Sequence, residues 1–415
     1  MKSHLLWSSL IVAVSLVSLR GAATSSQESG LSTESSISQR LTGAMRGFVE
    51  QGELAGAVTL VARDGRIIAF DAVGCGDLST HRVLKKDDLF WVASMTKPIT
   101  AAAVMMLIDE GRLTLDAPVE TYLPEFKNQW VIAETSTDRQ TLRRPARPVT
   151  IRDLLTHTGG LAEPPVPRAF TPLAQWVDEA ARMPLLFEPG SQWRYGNAGM
   201  NTLGRVIEVV SGQPYEAFTQ SRILTPLGMT DTTFFPNTAQ LERLAKSYRK
   251  LPNGGALEES PITLLNGELS STRRTVFPGG GLFSTATDML RFYQLLLDEG
   301  MFEGRRLLSA SAVAAMTHSQ TGSFEAGFSP GTSWGLGLSI VSKPTGSMDM
   351  LPAGSFGHGG AYGTSVMVAP AQRLVMILMI QRSRLNPYRD GFKFTQAFHT
   401  AILGSDATQV NSPKK

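Results

Sequence analysis

The chain has 415 residues with 42% hydrophobic content, enough for a large core and one or two domains. Lys+Arg 39 against Asp+Glu 36 leave a formal charge of +3. No basic run interleaved with aromatics occurs, so nucleic acid is excluded as the expected partner, and the single Cys75 excludes an internal disulfide and a Cys-rich metal site.

In chain order, Lys2 precedes an apolar stretch from Leu5 to Leu19, which Arg20 interrupts. Gly21 and Ala23 stand where the small residues of a cleavage site belong. This is the layout of a signal peptide over residues 1–23, cut around Ala23. A spanning helix needs about 20 apolar residues, so no stable membrane anchor is expected after its removal. The expected location is a periplasm or the external medium. A Ser/Thr/Gln-rich linker is expected over 24–36.

Ile37, Leu41, Met45 and Phe48 recur at helical spacing. Two β-rich runs, AVTLVAR and RIIAFDAV, flank Asp64-Gly65 and predict a hairpin. FWVASMTKPIT follows, leading into the all-apolar AAAVMMLI and ending at Glu110-Gly111, a helix with glycine at its C-terminal end. Thr135 to Arg147 reads as an exposed loop or hairpin. TIRDLLTHTGGL, PLAQWVDEAARM and NAGMNTLGRVIEVVSG then read as helices separated by turns. Thr285 and Asp288 make a capping box for ATDMLRFYQLLL. WGLGLSIV, TSVMVA and RLVMILMIQ predict strands, and Phe394, Phe398 and Ile402 mark a closing helix.

This order predicts an α+β fold: one antiparallel sheet built from both chain ends, flanked by helices, with an all-α domain inserted. The expected bounds are 37–125 and 270–408 for the discontinuous α/β domain, 126–269 for the helical insert, and 409–415 for a disordered tail.

Ser94-Met95-Thr96-Lys97 is an S-x-x-K pattern whose i and i+3 side chains share a helix face. Pro98 fits only near a helix start, which sets Ser94 at the N-terminal end. There a partly desolvated lysine can activate the hydroxyl; equally, Ser94 can cap the helix while Lys97 reaches solvent. Tyr195-Gly196-Asn197 enters a helix, where a tyrosine beside a lysine can carry a proton and an asparagine amide can hold a carbonyl. Each also fits an ordinary core tyrosine and a capping asparagine. His358-Gly359-Gly360 precedes a strand, and its glycines let backbone approach a ligand, with the Ala361 N–H a possible oxyanion donor. A glycine turn bearing an exposed histidine is the plainer account.

Taken together and in order, these segments resemble the β-lactamase/penicillin-binding-protein-like serine hydrolases, within them the class C β-lactamases and the esterases similar to them. The resemblance runs from about Leu41 to Leu403 through FWVASMTKPITAAAVMMLIDEGRLTLDAPVETYLPEF, TIRDLLTHTGGL, FEPGSQWRYGNAGM and GGGLFSTATDMLRF. It implies a β-lactamase/transpeptidase-like fold with the active site between an α/β and an all-α domain. Ser94 would be the acylated nucleophile, Lys97 and Tyr195 would share acid and base duty, and Asn197 would orient the substrate. The amides of Ser94 and Ala361 would form the oxyanion hole. No metal or organic cofactor is implied.

One departure bears on the substrate. Many members carry K-T-G where this chain has His358-Gly359-Gly360, and that lysine and threonine help hold the carboxylate of penicillins. Ester hydrolysis on small acyl substrates is therefore expected first, β-lactam hydrolysis second, and D-alanyl-D-alanine carboxypeptidase or related peptidase activity third. A β-lactam sensor that never releases its acyl group would keep the same residues. Gly331-Thr332-Ser333-Trp334-Gly335 matches the G-x-S-x-G of α/β-hydrolases, but a strand should precede that serine and a helix follow. Here the order is reversed, so Ser333 is not expected to act.

Overall fold

The computed structural model describes residues 21–404 except 168–169, 252–253, 263–264, 266, 325 and 384–390; side chains of 21–34 and 391 are also outside the description. The apolar stretch ahead of Gly21 and the tail 409–415 lie outside the described residues. Among those described, no helix is long and apolar enough to cross a membrane.

Strands β1 (Gly56–Arg63) and β2 (Arg66–Asp77) form the expected hairpin. Asp64 and Gly65 both take positive φ, 51° and 74°, as a type I′ turn requires. A short β3 (Arg82–Val83) follows, and the chain's far end supplies β4 (Thr332–Trp334), β5 (Ser339–Val341), β6 (Phe356–Gly359), β7 (Ser365–Ala369) and β8 (Leu374–Met379). The sheet order is β4-β5-β6-β7-β8-β1-β2-β3, antiparallel throughout. Both chain ends thus meet where β8 pairs β1, with Leu60 opposite Ile377.

Period-two alternation sorts this sheet into two buried faces. Val58, Leu60, Val366, Val375 and Ile377 face the helical layer, while Val61, Met367, Leu374 and Met376 face helices α1 (Gly21–Glu50) and α8 (Gly391–Leu403). Ile37, Leu41 and Met45 of α1 and Phe394, Phe398 and Ile402 of α8 are buried there, as their spacing predicts.

The linker expected over 24–36 is corrected: the backbone is helical from Gly21 onward. That stretch lacks proline, and once the turn around Leu41 is anchored, helix extends backward without a new nucleation cost.

The apolar helix α2 (Thr96–Asp109) is buried from Thr96 to Leu107. It packs against α5 (Ala198–Ser211), which also receives α3 (Ile151–Leu155) and α4 (Leu173–Arg182). Helix α6 (Ala286–Leu297) lies on β8 and β1, and α7 (Ala310–Thr317) packs on α2. Truncating a buried leucine such as Leu107 to alanine would cost about 2–5 kcal/mol here. At Thr285 only half the expected box forms: its side chain accepts from Asp288 N–H, but the Asp288 carboxylate turns to Asp231 N–H and the Thr232 hydroxyl. Tertiary acceptance displaces the local reciprocal bond.

Candidate active site

Ser94 sits on a 3₁₀ turn, Ala93–Met95, that runs directly into α2. Ala93 adopts φ 47°, a left-handed conformation that costs energy for a residue with a Cβ. The turn is held by its surroundings. Val92 N–H donates to Leu282 O (3.1 Å), the Thr96 hydroxyl donates to Ala93 O (2.6 Å), and Leu282 N–H donates back to Thr96 Oγ1 (3.2 Å). On its other side, Gly337 takes φ 75°, and a Cβ there would lie 2.7 Å from that of Ala101, so only glycine lets this loop touch α2.

Lys97 is fully buried, and its amine meets three acceptors: Asn197 Oδ1 at 2.7 Å, Gly279 O at 2.6 Å and Ser94 Oγ at 3.1 Å. Burial pulls its pKa down to about 7, only partly offset by the Glu163 carboxylate. The solvent-reaching lysine is thereby excluded. A free amine can donate its two hydrogens to Asn197 and Gly279 and aim its lone pair at Ser94.

Tyr195 hydrogen-bonds Ser94, and its ring lies under the Lys97 amine at 4.7 Å. Burial raises its pKa far above the ordinary value, an effect the Ser94 bond opposes, so the phenol stays protonated at neutral pH. An aromatic wall surrounds it, with ring centroids of His157 at 4.7 Å, Phe328 at 4.8 Å, Trp334 at 5.8 Å and His358 at 6.0 Å.

Asn197 stands at the N-terminus of α5 but makes no side-chain cap. Glu163 takes that place, its Oε1 accepting from Asn197 N–H and, at 2.8 Å, from Ala198 N–H. A carboxylate also suits the positive end of the helix. The Asn197 amide is thus free for Lys97. One turn on, Asn201 Oδ1 accepts from Gly279 N–H at 2.9 Å, which fixes the Gly279 carbonyl used by the amine. Neither Glu163 nor Asn201 was singled out from the sequence. Asn201 could have been, four residues from Asn197 on one helix face; Glu163 carries no local signal.

His358 and Gly359 belong to β6 itself, a correction to the expected turn before a strand; the turn is Gly360 to Gly363. The exposed histidine is excluded too, since His358 is 4% exposed. Its Nδ1 lies 2.7 Å from Gly359 O, which makes Nδ1 the protonated nitrogen and leaves Nε2 without a partner among the described residues. Burial, with the Lys97 charge, pushes its pKa down to about 3, so it is neutral near pH 7. A Cβ on Gly360 would lie 2.6 Å from Val92 O, so glycine is what brings this turn against the Ser94 segment. The N–H groups of Ser94 and Ala361 have no acceptor among the described residues, and both residues line the same two cavities.

The G-x-S-x-G motif falls elsewhere. Ser333 lies in β4 with its hydroxyl 2.6 Å from Ser342 Oγ, with no helix following. His157 anchors the Tyr195 segment, its carbonyl accepting from Arg194 N–H.

A serine-bearing turn leading into a buried helix, its lysine and a tyrosine from the helical layer, beside an antiparallel sheet, fit a serine hydrolase that forms an acyl-serine. The chain belongs to the Beta-lactamase family, whose model matches residues 41–396. Protein Rv1367c of Mycobacterium tuberculosis is 33% identical over 369 residues, 81% of this chain and 88% of its own. Esterase EstB of Burkholderia gladioli is 31% identical over 372 residues, 83% of this chain and 90% of its own. Among solved structures, EstCE1, described as a hydrolase with promiscuous acyltransferase activity, has the same fold, with a TM-score of 0.75 at 24% identity over 89% of this chain and 99% of that one.

Proposed function

We propose that the chain is an exported esterase acting on small acyl esters through an acyl-Ser94 intermediate. The observation that carries the reading is the fully buried Lys97 amine, 3.1 Å from Ser94 Oγ with a pKa of about 7. A free amine is then accessible near neutrality, poised for general base work. Lys97 takes the Ser94 proton as Oγ attacks the ester carbonyl. The oxyanion is received by the N–H groups of Ser94 and Ala361. Tyr195, protonated and bonded to Ser94, gives its proton to the leaving alkoxide and regains one from Lys97. Water then attacks the acyl-enzyme by the same route in reverse. Asn197 holds Lys97 and the substrate carbonyl side.

Ester is favoured over β-lactam by His358. A neutral imidazole stands where many relatives place a lysine, so it supplies no charge for a penicillin carboxylate. The relation to Esterase EstB supports the same choice. Export rests on the Met1–Ala23 segment alone.

A side-by-side turnover assay with a short p-nitrophenyl ester and a chromogenic cephalosporin tests the reading, with intact-mass detection of the Ser94 adduct. Ester turnover beyond one equivalent is expected. Cephalosporin turnover without esterase activity would reverse the assignment, and a stable adduct without turnover would make the chain a sensor.

A further inference from the structure

The cavity that opens at Ser94 and Tyr195 does not end at the aromatic wall. It encloses about 370 Å³ and continues past the glycine end of β6 to Met348, Met367, Phe392, Thr395 and His399. That volume lies within the range of small-molecule sites.

Strand alternation explains the passage. His358 faces the helical layer with Val366, whereas Gly357 and Gly359 face α1 and α8 with their partners Met367 and Ser365. Two successive positions on that face therefore carry no side chain. A Cβ on Gly359 would meet only Thr364 O, at 3.6 Å, so the space beside it is open.

At the far end stands His399, 3% exposed, its Nε2 without a hydrogen-bond partner among the described residues. Buried polar groups are nearly always paired, and an orphan one asks for an explanation. Burial brings its pKa to about 4, so the ring is neutral and offers one donor and one acceptor. A hydroxyl, which can donate or accept, suits a single ring nitrogen in either tautomer. Thr395, one turn earlier on α8, donates its hydroxyl to Phe392 O at 3.1 Å and can still accept. Met348, Met367 and Phe392 supply apolar wall, with the hydroxyls of Ser339 and Ser365 beside them.

We propose that this chamber is a substrate subsite that takes an apolar arm of the ester, threaded past Gly359 and ending in a hydroxyl that pairs with His399. The proposal rests on the esterase reading of Ser94. A second cavity, lined by Trp91, Glu163, Trp176, Asn197 and Phe277, shares Ser94, Tyr195 and Ala361 with the first and receives the other arm. The chain thus selects esters with one long, hydroxyl-tipped arm.

The test uses two series of esters, p-nitrophenyl esters of lengthening acyl chains and acetates of lengthening alcohols, each with plain and ω-hydroxylated members. In one series kcat/KM rises with length, which tells whether the chamber holds the acyl or the alcohol arm. Thr395→Phe, which fills the chamber, lowers the long-to-short ratio of kcat/KM in that series about tenfold or more. His399→Leu keeps the volume and abolishes the preference for the hydroxylated member. Thr395→Leu serves as the smaller filler should the phenylalanine variant misfold. An unchanged long-to-short ratio in both series would overturn the chamber.

Should the wild type hydrolyse no ester yet open a cephalosporin, the esterase reading falls by itself. The chamber is then tested by the rate at which p-nitrophenyl alkylphosphonates of the same lengths label Ser94, read by intact mass. A length dependence that Thr395→Phe removes supports the subsite, and a flat profile refutes it.

Discussion

The Lys97 amine and the Ser94 hydroxyl lie 3.1 Å apart, and Asn197 and Gly279 occupy the amine's other two directions. With both hydrogens of the neutral amine engaged, its remaining lone pair faces Ser94 Oγ. In the proposed mechanism that arrangement orients the base before any substrate arrives.

Ser94→Ala should abolish turnover and adduct formation while leaving the fold intact. Ser333→Ala should stay folded and active, since the Ser333 hydroxyl in β4 meets Ser342, just past β5. Steady-state kinetics and intact mass on both variants check this, and the opposite pattern would sink the assignment.

Lys97→Ala and Tyr195→Phe should each lower kcat/KM by about 10² to 10⁴-fold, the usual worth of acid–base help. In the wild type, kcat/KM should rise with pH through about 7, as Lys97 loses its proton. No limb from His358 is expected between pH 5 and 8, because that ring is already neutral there, its pKa being about 3. A pH–rate profile on a non-ionising ester measures both.

The same shift has a stability consequence. Lys97 has a folded pKa of about 7 against an ordinary 10.5, so between those values the unfolded chain binds the extra proton. Stability from this group therefore rises with pH across that window and is lowest below about pH 7. Relative to Lys97→Met, the wild type should gain a few kcal/mol, on the order of 3–5, between pH 7 and 10. Urea denaturation of both proteins at several pH values would show parallel curves if the lysine were in fact solvated.

Glu163→Gln should act through position and charge together. The carboxylate caps α5 and favours the protonated Lys97, so its neutralisation should move the acid limb of the kcat/KM profile to lower pH. Loss of such a cap costs about 0.5–2 kcal/mol. A purely structural role would lower thermal stability and leave the limb in place.

Much of the frame was legible locally. Asp64-Gly65 demands a tight turn, AAAVMMLI demands burial on every side, and Pro98 places Ser94 at a helix start; each follows from backbone sterics or apolar period within a few residues. The helical start at Gly21 was missed, because polar Ser/Thr/Gln composition does not reveal that an anchored helix will extend through it. The strand status of His358-Gly359 was missed as well, since two glycines weaken any β signal and only pairing with β7 fixes them.

The family was readable from the order of short motifs. What Lys97 touches was not, because Asn197 and Gly279 come from positions 100 and 182 residues away. Neither was the neutrality of His358 or the passage behind β6. A side chain's charge depends on the water it loses and the dipoles that replace it, and folding alone sets both.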